Sequence, residues 1–305
     1  MRIIVVGLGV QGLKRKGIAG DDCIAIVDPY NEDADYTTVE EVPLSDFDAA
    51  LVCTPDSAKY EVLKYLLSNK KHVLVEKPLM DHRPLVLEEL KTLAELNQVC
   101  CYTAYNHRFE PHFTRMEDTI KSGVLGRIYS IRLFYGNGTA RLVRDSMWRD
   151  SGAGVLPDLG SHLLDTYLFW LTDCALDFKL VSANRFENRA PDHCVFVSNE
   201  EVFLEAEVSL LSWRNHFTAD VFAENGSAHI ESLCKWGPST FTLRKRQFPS
   251  GRPDEEKVVL TQADPTWQLE YDYFIKLCES GGSNISNDIW VQSQLNQLMN
   301  EVEER

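Results

Sequence analysis

Short apolar runs alternate with helix-like segments through the first hundred residues of the chain. Continuous runs rich in valine, isoleucine and leucine are typical of parallel strands that are buried on both faces. In the segment 58–68, by contrast, tyrosine and leucine recur at helical spacing and form one apolar stripe. Alternation of this kind predicts a doubly wound parallel sheet, which binds its ligands at the carboxyl ends of the strands. The predicted strands are 3–6, 23–27, 49–53, 72–75 and 99–105.

The pattern changes near residue 126, where longer segments of alternating apolar and polar residues begin. Such alternation indicates strands with one buried face, and several in succession predict a large, mostly antiparallel open sheet. These strands are 128–135, 179–186, 194–198, 202–210, 216–223 and 227–231, with a hairpin turn at Asn225 and Gly226.

Three further helices are predicted at 163–171, 267–278 and 289–303, and the segment 248–257 is predicted to be a loop. A chain of 305 residues is longer than one ordinary core supports. We therefore expect two domains, an α/β nucleotide-binding domain at 1–120 and an α+β substrate domain at 121–305.

A glycine-rich turn, GLGVQG, follows the first predicted strand. Gly7 permits a tight turn, Gly9 lets a pyrophosphate approach the backbone, and Gly12 lets the next helix pack close to the strand. Val10 and Gln11 begin that helix, whose N-terminus favours phosphate groups. The pattern predicts a dinucleotide-binding site.

Asp28 ends the second predicted strand, 21 residues after Gly7. An acidic residue at about this distance binds the ribose hydroxyls of the adenosine in dinucleotide-binding folds. Its carboxylate would repel a 2′-phosphate, so the sequence favours NAD(H) over NADP(H). Only the segment 29–48 separates the second and third strands, so we expect the intervening helix to be truncated or absent.

Four more residues follow strands at the same predicted edge. Thr54 and Pro55 come after the third strand, and Glu76 and Lys77 come after the fourth. Because the carboxyl ends of parallel strands meet at one edge of the sheet, we expect these residues to join the glycine turn and Asp28 around the cofactor.

The chain is acidic, with 31 lysine and arginine residues, 46 aspartate and glutamate residues and a net charge of −15. Such a surface repels nucleic acid and anionic membranes, so neither is an expected partner. No apolar run approaches the roughly 20 residues of a membrane-spanning helix, and we expect a cytoplasmic protein. Eight cysteines without CxxC spacing are interpreted as reduced core thiols, and no metal site is expected. Lys14, Arg15 and Lys16 are interpreted as a solvated helix face, with neutralisation of pyrophosphate as the alternative.

Five segments together resemble the Gfo/Idh/MocA family, named after glucose–fructose oxidoreductase, inositol dehydrogenase and a rhizopine-catabolism protein. They are GLGVQG at 7–12, HVLVEKPL at 72–79, NHRFEP at 106–111, SGVLGRI at 122–128 and GVLPDLGSHLLD at 154–165. The resemblance spans nearly the whole chain, and the EKP and DxGxH segments in combination are its most specific part. It implies a nucleotide-binding domain followed by a domain whose open sheet often mediates oligomers, so we expect a homodimer or homotetramer.

The resemblance also implies a catalytic set. Lys77, Asp158 and His162 occupy the positions that surround the reacting carbon in relatives, and the peptide between Lys77 and Pro78 is expected to be cis. Relatives often have a histidine near the position of Lys59.

The oxidation of an alcohol requires a base that accepts the hydroxyl proton while hydride leaves the same carbon. We prefer His162 as that base because histidine titrates near neutral pH. Lys77 would then polarise the substrate oxygen, and Asp158 would bind a neighbouring hydroxyl. The reverse assignment, with Lys77 as the base, stays open. Asp158 and His162 are four residues apart and share one face if their segment is helical.

Four other residues are candidates for the site. Asn106 is a candidate to contact the nicotinamide ribose or the substrate, and Arg108 is expected to be structural and to tie the two domains together. Trp148 could lie against the C–H face of a sugar. Arg149 could bind an anionic group, although a solvated position is the simpler interpretation.

These features together predict an NAD(H)-dependent oxidoreductase acting on a CH–OH carbon of a sugar, polyol or nucleotide sugar. One alternative is a redox-neutral enzyme, such as the NAD-dependent glycosidases that resemble this family. Another is a non-catalytic regulator that senses NAD or a sugar. Retention of lysine, aspartate and histidine together argues against the regulator, because a sensor has no use for proton transfer.

Overall fold

The computed structural model describes residues 1–81, 83, 85–147, 149–171 and 176–304. The strands are β1 (Ile3–Val6), β2 (Cys23–Val27), β3 (Ala49–Val52), β4 (His72–Glu76), β5 (Cys101–Ala104), β6 (Ile128–Gly136), β7 (Lys179–Asn184), β8 (His193–Asn199), β9 (Phe203–Ser209), β10 (His216–Ala223), β11 (Gly226–Glu231), β12 (Ser239–Lys245) and β13 (Asp254–Leu260). The helices are α1 (Val10–Ala19), α2 (Asp56–Ser68), α3 (Val86–Asn97), α4 (Pro111–Lys121), α5 (Ala140–Arg144), α6 (Ser161–Trp170), α7 (Thr266–Ser280) and α8 (Ile285–Glu303).

The chain groups into two compact units. The first comprises Met1–Asn106 and Pro265–Gln292, and the second comprises His107–Asp264 and Ser293–Arg305. Helix α7 therefore belongs to the first unit, although it is distant in sequence from the rest of that unit. The predicted boundary at residue 120 separates two domains that would fold independently, and this boundary stays a prediction.

The sheet of the first unit is parallel, with the strand order β2-β1-β3-β4-β5. This arrangement confirms the predicted doubly wound sheet. Strand β1 pairs with both β2 and β3, so the direction of strand order reverses there, at the point where such sheets bind ligands. Every residue of β1 and β3 is buried, as their continuous apolar runs predicted.

The connection from β2 to β3 lacks the usual α-helix. Residues 28–48 are all described, and their one helical element is a 3₁₀ turn at Val39–Glu41, which Thr38 and Glu41 cap reciprocally. The expectation that this helix is truncated or absent is confirmed.

The sheet of the second unit has eight strands in the order β13-β12-β11-β10-β6-β9-β8-β7. Strands β6 and β9 pair in parallel, and the other neighbours are antiparallel, so the predicted mostly antiparallel sheet is confirmed. Along β6 the side chains of Ile131 and Leu133 are buried while Arg132 between them is exposed. One face of this sheet therefore packs against the core of the unit, and helix α4 lies against β11 and β12.

Two details of the predicted strands are wrong. Of the segment 248–257, predicted to be a loop, residues 248–253 do form a loop, but residues 254–257 belong to β13, an edge strand that pairs with β12. Its charged residues are typical of edge strands, which avoid pairing with other chains, and they hid the strand from the pattern. The predicted hairpin exists, but its two loop residues are Glu224 and Asn225, because Ala223 pairs with Gly226.

Two findings concern the predictions about membrane-spanning helices and about the cysteines. In the described part of the chain, no helix combines the length and the apolar composition needed to cross a membrane. The described cysteines are all reduced, and five of them are buried, which confirms the interpretation as core thiols for Cys100, Cys101, Cys194, Cys234 and Cys278.

Candidate active site

The glycine turn lies between β1 and α1. Gly7 has a φ of +91°, a conformation that residues with a side chain rarely adopt. A Cβ on Gly12 would collide with the carbonyl oxygen of Gly7, so the helix and the turn meet at their backbones. A Cβ on Gly9 would meet nothing within 4 Å, which leaves space over the backbone at the N-terminus of α1. This cradle fits the pyrophosphate of a dinucleotide.

Asp28 lies directly beside the glycine turn. Its Oδ2 accepts the backbone N–H of Leu8 at 2.7 Å. Its Oδ1 accepts the backbone N–H groups of Tyr30 and Asn31 at 2.8 and 3.1 Å. These donors fix the carboxylate, and its oxygens retain lone pairs with which to accept a ribose hydroxyl.

A cleft of about 280 Å³ opens beside Asp28. Its lining includes the acidic residues Glu32, Asp35 and Glu41 and the aromatic ring of Tyr30. No lysine or arginine occurs among its lining residues, all of which the structure describes. The short connection between β2 and β3 therefore forms an acidic wall at this end of the sheet.

The remaining predicted cofactor residues also lie at strand ends of the first unit. Thr54 and Pro55 follow β3, and Pro55 immediately precedes α2. Glu76 is the last residue of β4, and both it and Lys77 are half-buried. The peptide between Lys77 and Pro78 is cis, as expected.

Arg15 is not part of a solvated helix face, which corrects the expectation for this residue. Its side chain is 1% exposed, with Nε at 2.7 Å from Oε1 of Glu76 and Nη2 at 2.7 Å from Oε2 of Glu270. The guanidinium also lies over the ring of Trp267, 4.4 Å from its centroid. Because two carboxylates and an indole surround it, Arg15 is a buried link from α1 to the EKP segment and to α7.

In the second unit, Asp158 and His162 lie on consecutive helical turns. Asp158 is in a π-helical turn, Leu156–Gly160, and His162 is in the first turn of α6. His162 is 7% exposed, whereas the side chain of Asp158 is about half exposed. Both adjoin Tyr135: its ring centroid lies 5.7 Å from that of His162, and burial together with the charge of Asp158 raises the pKa of Tyr135. The structure thus brings Asp158, His162 and Tyr135 into one cluster.

His107 and Lys235 complete this cluster, and sequence reasoning missed both. The imidazole of His107 stacks on that of His162, and Nζ of Lys235 lies 3.3 Å from Nε2 of His107. Lys235 also lies over the ring of Trp236, 4.9 Å from its centroid. His107 belongs to the NHRFEP segment that carried the resemblance, so it could have been noticed, whereas no local pattern marks Lys235.

Arg108 forms an ion pair within the second unit, whereas the expected link between the two domains stays a prediction. Its guanidinium donates to both carboxylate oxygens of Asp165, with Nε to Oδ2 at 2.8 Å and Nη2 to Oδ1 at 2.6 Å. Burial raises the pKa of Asp165, and the charge of Arg108 opposes that rise. The pair connects the turn after β5 to the helix that carries His162.

The other candidates are placed as follows. Asn106 is buried and its Nδ2 donates to Oγ1 of Thr266 at 2.9 Å. Nη2 of Arg149 lies 3.9 Å from Oδ2 of Asp158. Trp148 lies outside the described residues. Lys77 belongs to the first unit and Asp158 and His162 to the second, so their joint action stays a proposal.

Comparison with known proteins decides the family. Residues 20–105 match the oxidoreductase family with an NAD-binding Rossmann fold, GFO_IDH_MocA, and residues 113–229 match the GFO/IDH/MocA C-terminal domain. These matches cover more than half of the chain and both of its units. The chain belongs to the Gfo/Idh/MocA family.

Gfo/Idh/MocA proteins of known activity are among the similar chains. Glucose-6-phosphate 3-dehydrogenase from Bacillus subtilis is 32% identical over 129 residues, which make up 39% of this chain and 36% of that protein. The chain thus matches little more than a third of the length of this curated relative.

Solved Gfo/Idh/MocA structures match over the whole chain. An inositol dehydrogenase homolog from Azotobacter vinelandii, complexed with NADH and myo-inositol, has a TM-score of 0.80 at 16% identity and covers 100% of this chain and 96% of that one. UDP-N-acetylglucosamine 3-dehydrogenase from Acidithiobacillus ferrooxidans has a TM-score of 0.82 at 17% identity, with 100% and 98% covered. At these identities the comparison shows a shared fold.

Proposed function

We propose that this chain is an NAD(H)-dependent dehydrogenase or reductase that acts on a secondary alcohol or ketone carbon of a sugar, polyol or nucleotide sugar. The observation that carries the proposal is the cluster of Asp158, His162 and Tyr135 in a chain of an NAD-binding oxidoreductase family. The substrate class is supported by the names of relatives, which act on a sugar phosphate and a nucleotide sugar.

The cofactor would be held by the strand ends of the first unit. The backbone at Gly9, Val10 and Gln11 would bind the pyrophosphate, and Gly7 and Gly12 would keep the cradle open. Thr54, Pro55, Glu76 and Lys77 would line the nicotinamide side. When bound, the nicotinamide accepts or supplies the hydride.

Asp28 supports NAD(H) over NADP(H) as the cofactor. Its carboxylate would accept a hydrogen bond from a ribose hydroxyl, but a 2′-phosphate at the same place would be repelled. The neighbouring cleft adds Glu32, Asp35 and Glu41 and offers no described cation to a phosphate.

The proton would be handled by His162 and Lys77. In our preferred assignment His162 accepts the substrate hydroxyl proton during oxidation, and Lys77 donates a hydrogen bond that polarises the same oxygen. Asp158, which is half exposed, would accept a hydrogen bond from a neighbouring hydroxyl. Asn106 and Trp148 are proposed to contact the substrate.

The first experiment is to follow the absorbance of reduced nicotinamide. Purified protein is incubated with NAD or NADP and a panel of inositols, aldoses, sugar phosphates and nucleotide sugars. We expect substrate-dependent formation of NADH that falls by about 10²-fold or more in Lys77→Ala and in His162→Ala, while NADH binding persists. Lys91→Ala serves as a matched control, because Lys91 pairs with Glu95 on α3.

The result separates the proposal from its alternatives. Cleavage of glycosides without net NADH formation would indicate the redox-neutral enzyme. Binding of NADH without turnover of any substrate would indicate a sensor. Turnover in His162→Ala close to that of the wild type would remove His162 from the mechanism.

We also propose that copies of the chain associate through the outer face of the eight-stranded sheet. That face carries Phe134 and Phe222 from adjacent strands, with the charged pair Arg132 and Glu205 beside them. Sedimentation equilibrium should give a dimer or tetramer, and Phe222→Arg should lower the apparent mass. A monomeric wild type would contradict the proposal.

A further inference from the structure

Lys59 is a buried lysine whose contacts concentrate at the EKP segment. It lies on α2, is 3% exposed, and belongs to the first unit together with the residues that it contacts. Its Nζ donates to the carbonyl oxygens of Glu76 and Pro78, each at 2.7 Å, and lies 2.7 Å from Oδ1 of Asp56. An ammonium has three N–H donors, and here three acceptors match them.

These contacts flank Lys77 on both sides. The carbonyl groups of Glu76 and Pro78 are the backbone acceptors immediately before and after Lys77 in the chain. The side chain of Glu76 is held separately, by Nε of Arg15 at 2.7 Å. Two buried cations from different helices therefore fix the backbone and the side chain next to Lys77.

The contacts of Lys59 both satisfy a buried ammonium and hold the backbone of a turn. Burying an ammonium is unfavourable unless it is fully hydrogen-bonded, and an apolar side chain in its place would leave the carbonyl oxygens of Glu76 and Pro78 without this donor. What an apolar side chain could not do is hold two carbonyl groups of one turn at fixed positions. The position of Lys59 is therefore suited to holding the backbone around Lys77 in place.

We propose that Lys59 is a positioning residue, which fixes the backbone on both sides of Lys77 so that its amine reaches the substrate oxygen. This inference rests on the proposed function, in which Lys77 polarises that oxygen. Small displacements of a reacting group lower the rate steeply, so loss of Lys59 should act on turnover more than on cofactor binding.

The test compares Lys59→Met with a matched control, Lys71→Met. Lys71 also donates to two backbone carbonyl oxygens, those of Leu44 and Phe47, at 2.6 and 2.8 Å. It precedes the amino end of β4, however, whereas Lys59 contacts the carboxyl end. The two variants therefore remove the same charge and the same kind of contact from opposite ends of one strand.

Three quantities are measured well below the unfolding temperature: kcat, the Kd for NADH by fluorescence, and amide hydrogen exchange. For Lys59→Met we expect kcat to fall by about 10- to 100-fold and the Kd to change less than about threefold. Exchange in the segment 72–80 should accelerate in this variant only. Lys71→Met should keep kcat within about twofold of the wild type.

The outcomes distinguish the inference from the function on which it rests. A wild type that forms no NADH with any substrate counts against the proposed function. Unchanged exchange in the segment 72–80 of Lys59→Met overturns the positioning role whatever the turnover, as does a kcat equal to that of Lys71→Met. If Lys59→Met does not fold, Lys59→Gln takes its place with the same expected direction, because its shorter amide cannot reach both carbonyl groups.

Discussion

The imidazole of His107 lies nearly parallel to that of His162, with ring centroids 4.1 Å apart and planes inclined by 20°. Because the ammonium of Lys235 can only donate, the nearby Nε2 of His107 is placed to accept. Two protonated imidazoles at this separation would repel each other. The ring of His107 thus gives His162 a flat surface against which to be held.

We therefore predict that the ring of His107, more than its nitrogen atoms, supports catalysis. His107→Ala should lower kcat by about tenfold, because His162 loses the surface that orients it. His107→Phe keeps a ring at this position and should retain most of the activity. The measurement is kcat for the wild type and both variants; equal losses in the alanine and phenylalanine variants would contradict the role of the stack.

The glycine turn gives a second prediction. Gly12→Ala should abolish NADH binding within the measurable range, because its Cβ would collide with the carbonyl oxygen of Gly7. Gly17→Ala is the matched control on the same helix, where an added Cβ meets nothing within 4 Å. That variant should bind NADH normally and gain up to about 1 kcal/mol of stability, since alanine favours a helix over glycine. Fluorescence titration measures NADH binding, and urea unfolding measures stability.

A third prediction concerns the choice of cofactor. Asp28→Asn keeps a side-chain acceptor for the N–H of Leu8 but removes the negative charge that faces a 2′-phosphate. The ratio of NADPH to NADH dissociation constants should therefore fall by about tenfold or more, mainly through tighter NADPH binding. Glu40→Gln, on the same connection but absent from the cleft lining, should leave the ratio unchanged. An unaltered ratio in Asp28→Asn would show that Asp28 does not select the cofactor.

Sequence patterns predicted the parts of the site that local physics determines. The tight turn at Gly7, the close backbone approach at Gly12 and the position of Asp28 at a strand end could be inferred without coordinates. The pattern of β13 was misread because a charged edge strand resembles a loop.

The contacts that sequence patterns missed join residues far apart in the chain. Arg15 lies in a run of basic residues that is typical of a solvated helix face. It is nevertheless buried, because it pairs with Glu270 of α7. Lys235 meets His107 from a turn more than a hundred residues away. Such contacts depend on which distant segments of the chain pack together within a unit. Neither periodicity nor residue type predicts this.

Arg15 allows a fourth prediction, on stability. Arg15→Met should lower the free energy of unfolding by about 3–5 kcal/mol, because the fully buried Glu270 would lose its ion pair with the guanidinium of Arg15. Arg2→Met removes an exposed pair with Asp48 and should cost much less stability. Urea unfolding measures both, and equal losses would contradict the importance of burial.

Glu110 is a buried carboxyl group in the second unit. It is 1% exposed and accepts the backbone N–H of Cys234 at 3.2 Å. Burial raises the pKa of Glu110, and the contacts with Cys234 only partly oppose that rise. The folded state therefore retains this proton at pH values at which an unfolded glutamate, with a pKa of about 4.3, has released it.

The sign of the resulting pH dependence follows from proton linkage. Because the folded state binds more protons over this window, stability declines as the pH rises from the ordinary glutamate range through the raised pKa of Glu110. Glu110→Gln cannot ionise, so its stability relative to the wild type should increase as the pH rises from 4 to 7, roughly across that window. Asp165 contributes equally to both proteins and cancels in the difference. Urea unfolding at each pH, with the exposed Glu88→Gln as control, provides the test, and a difference that stays constant with pH would refute the assignment.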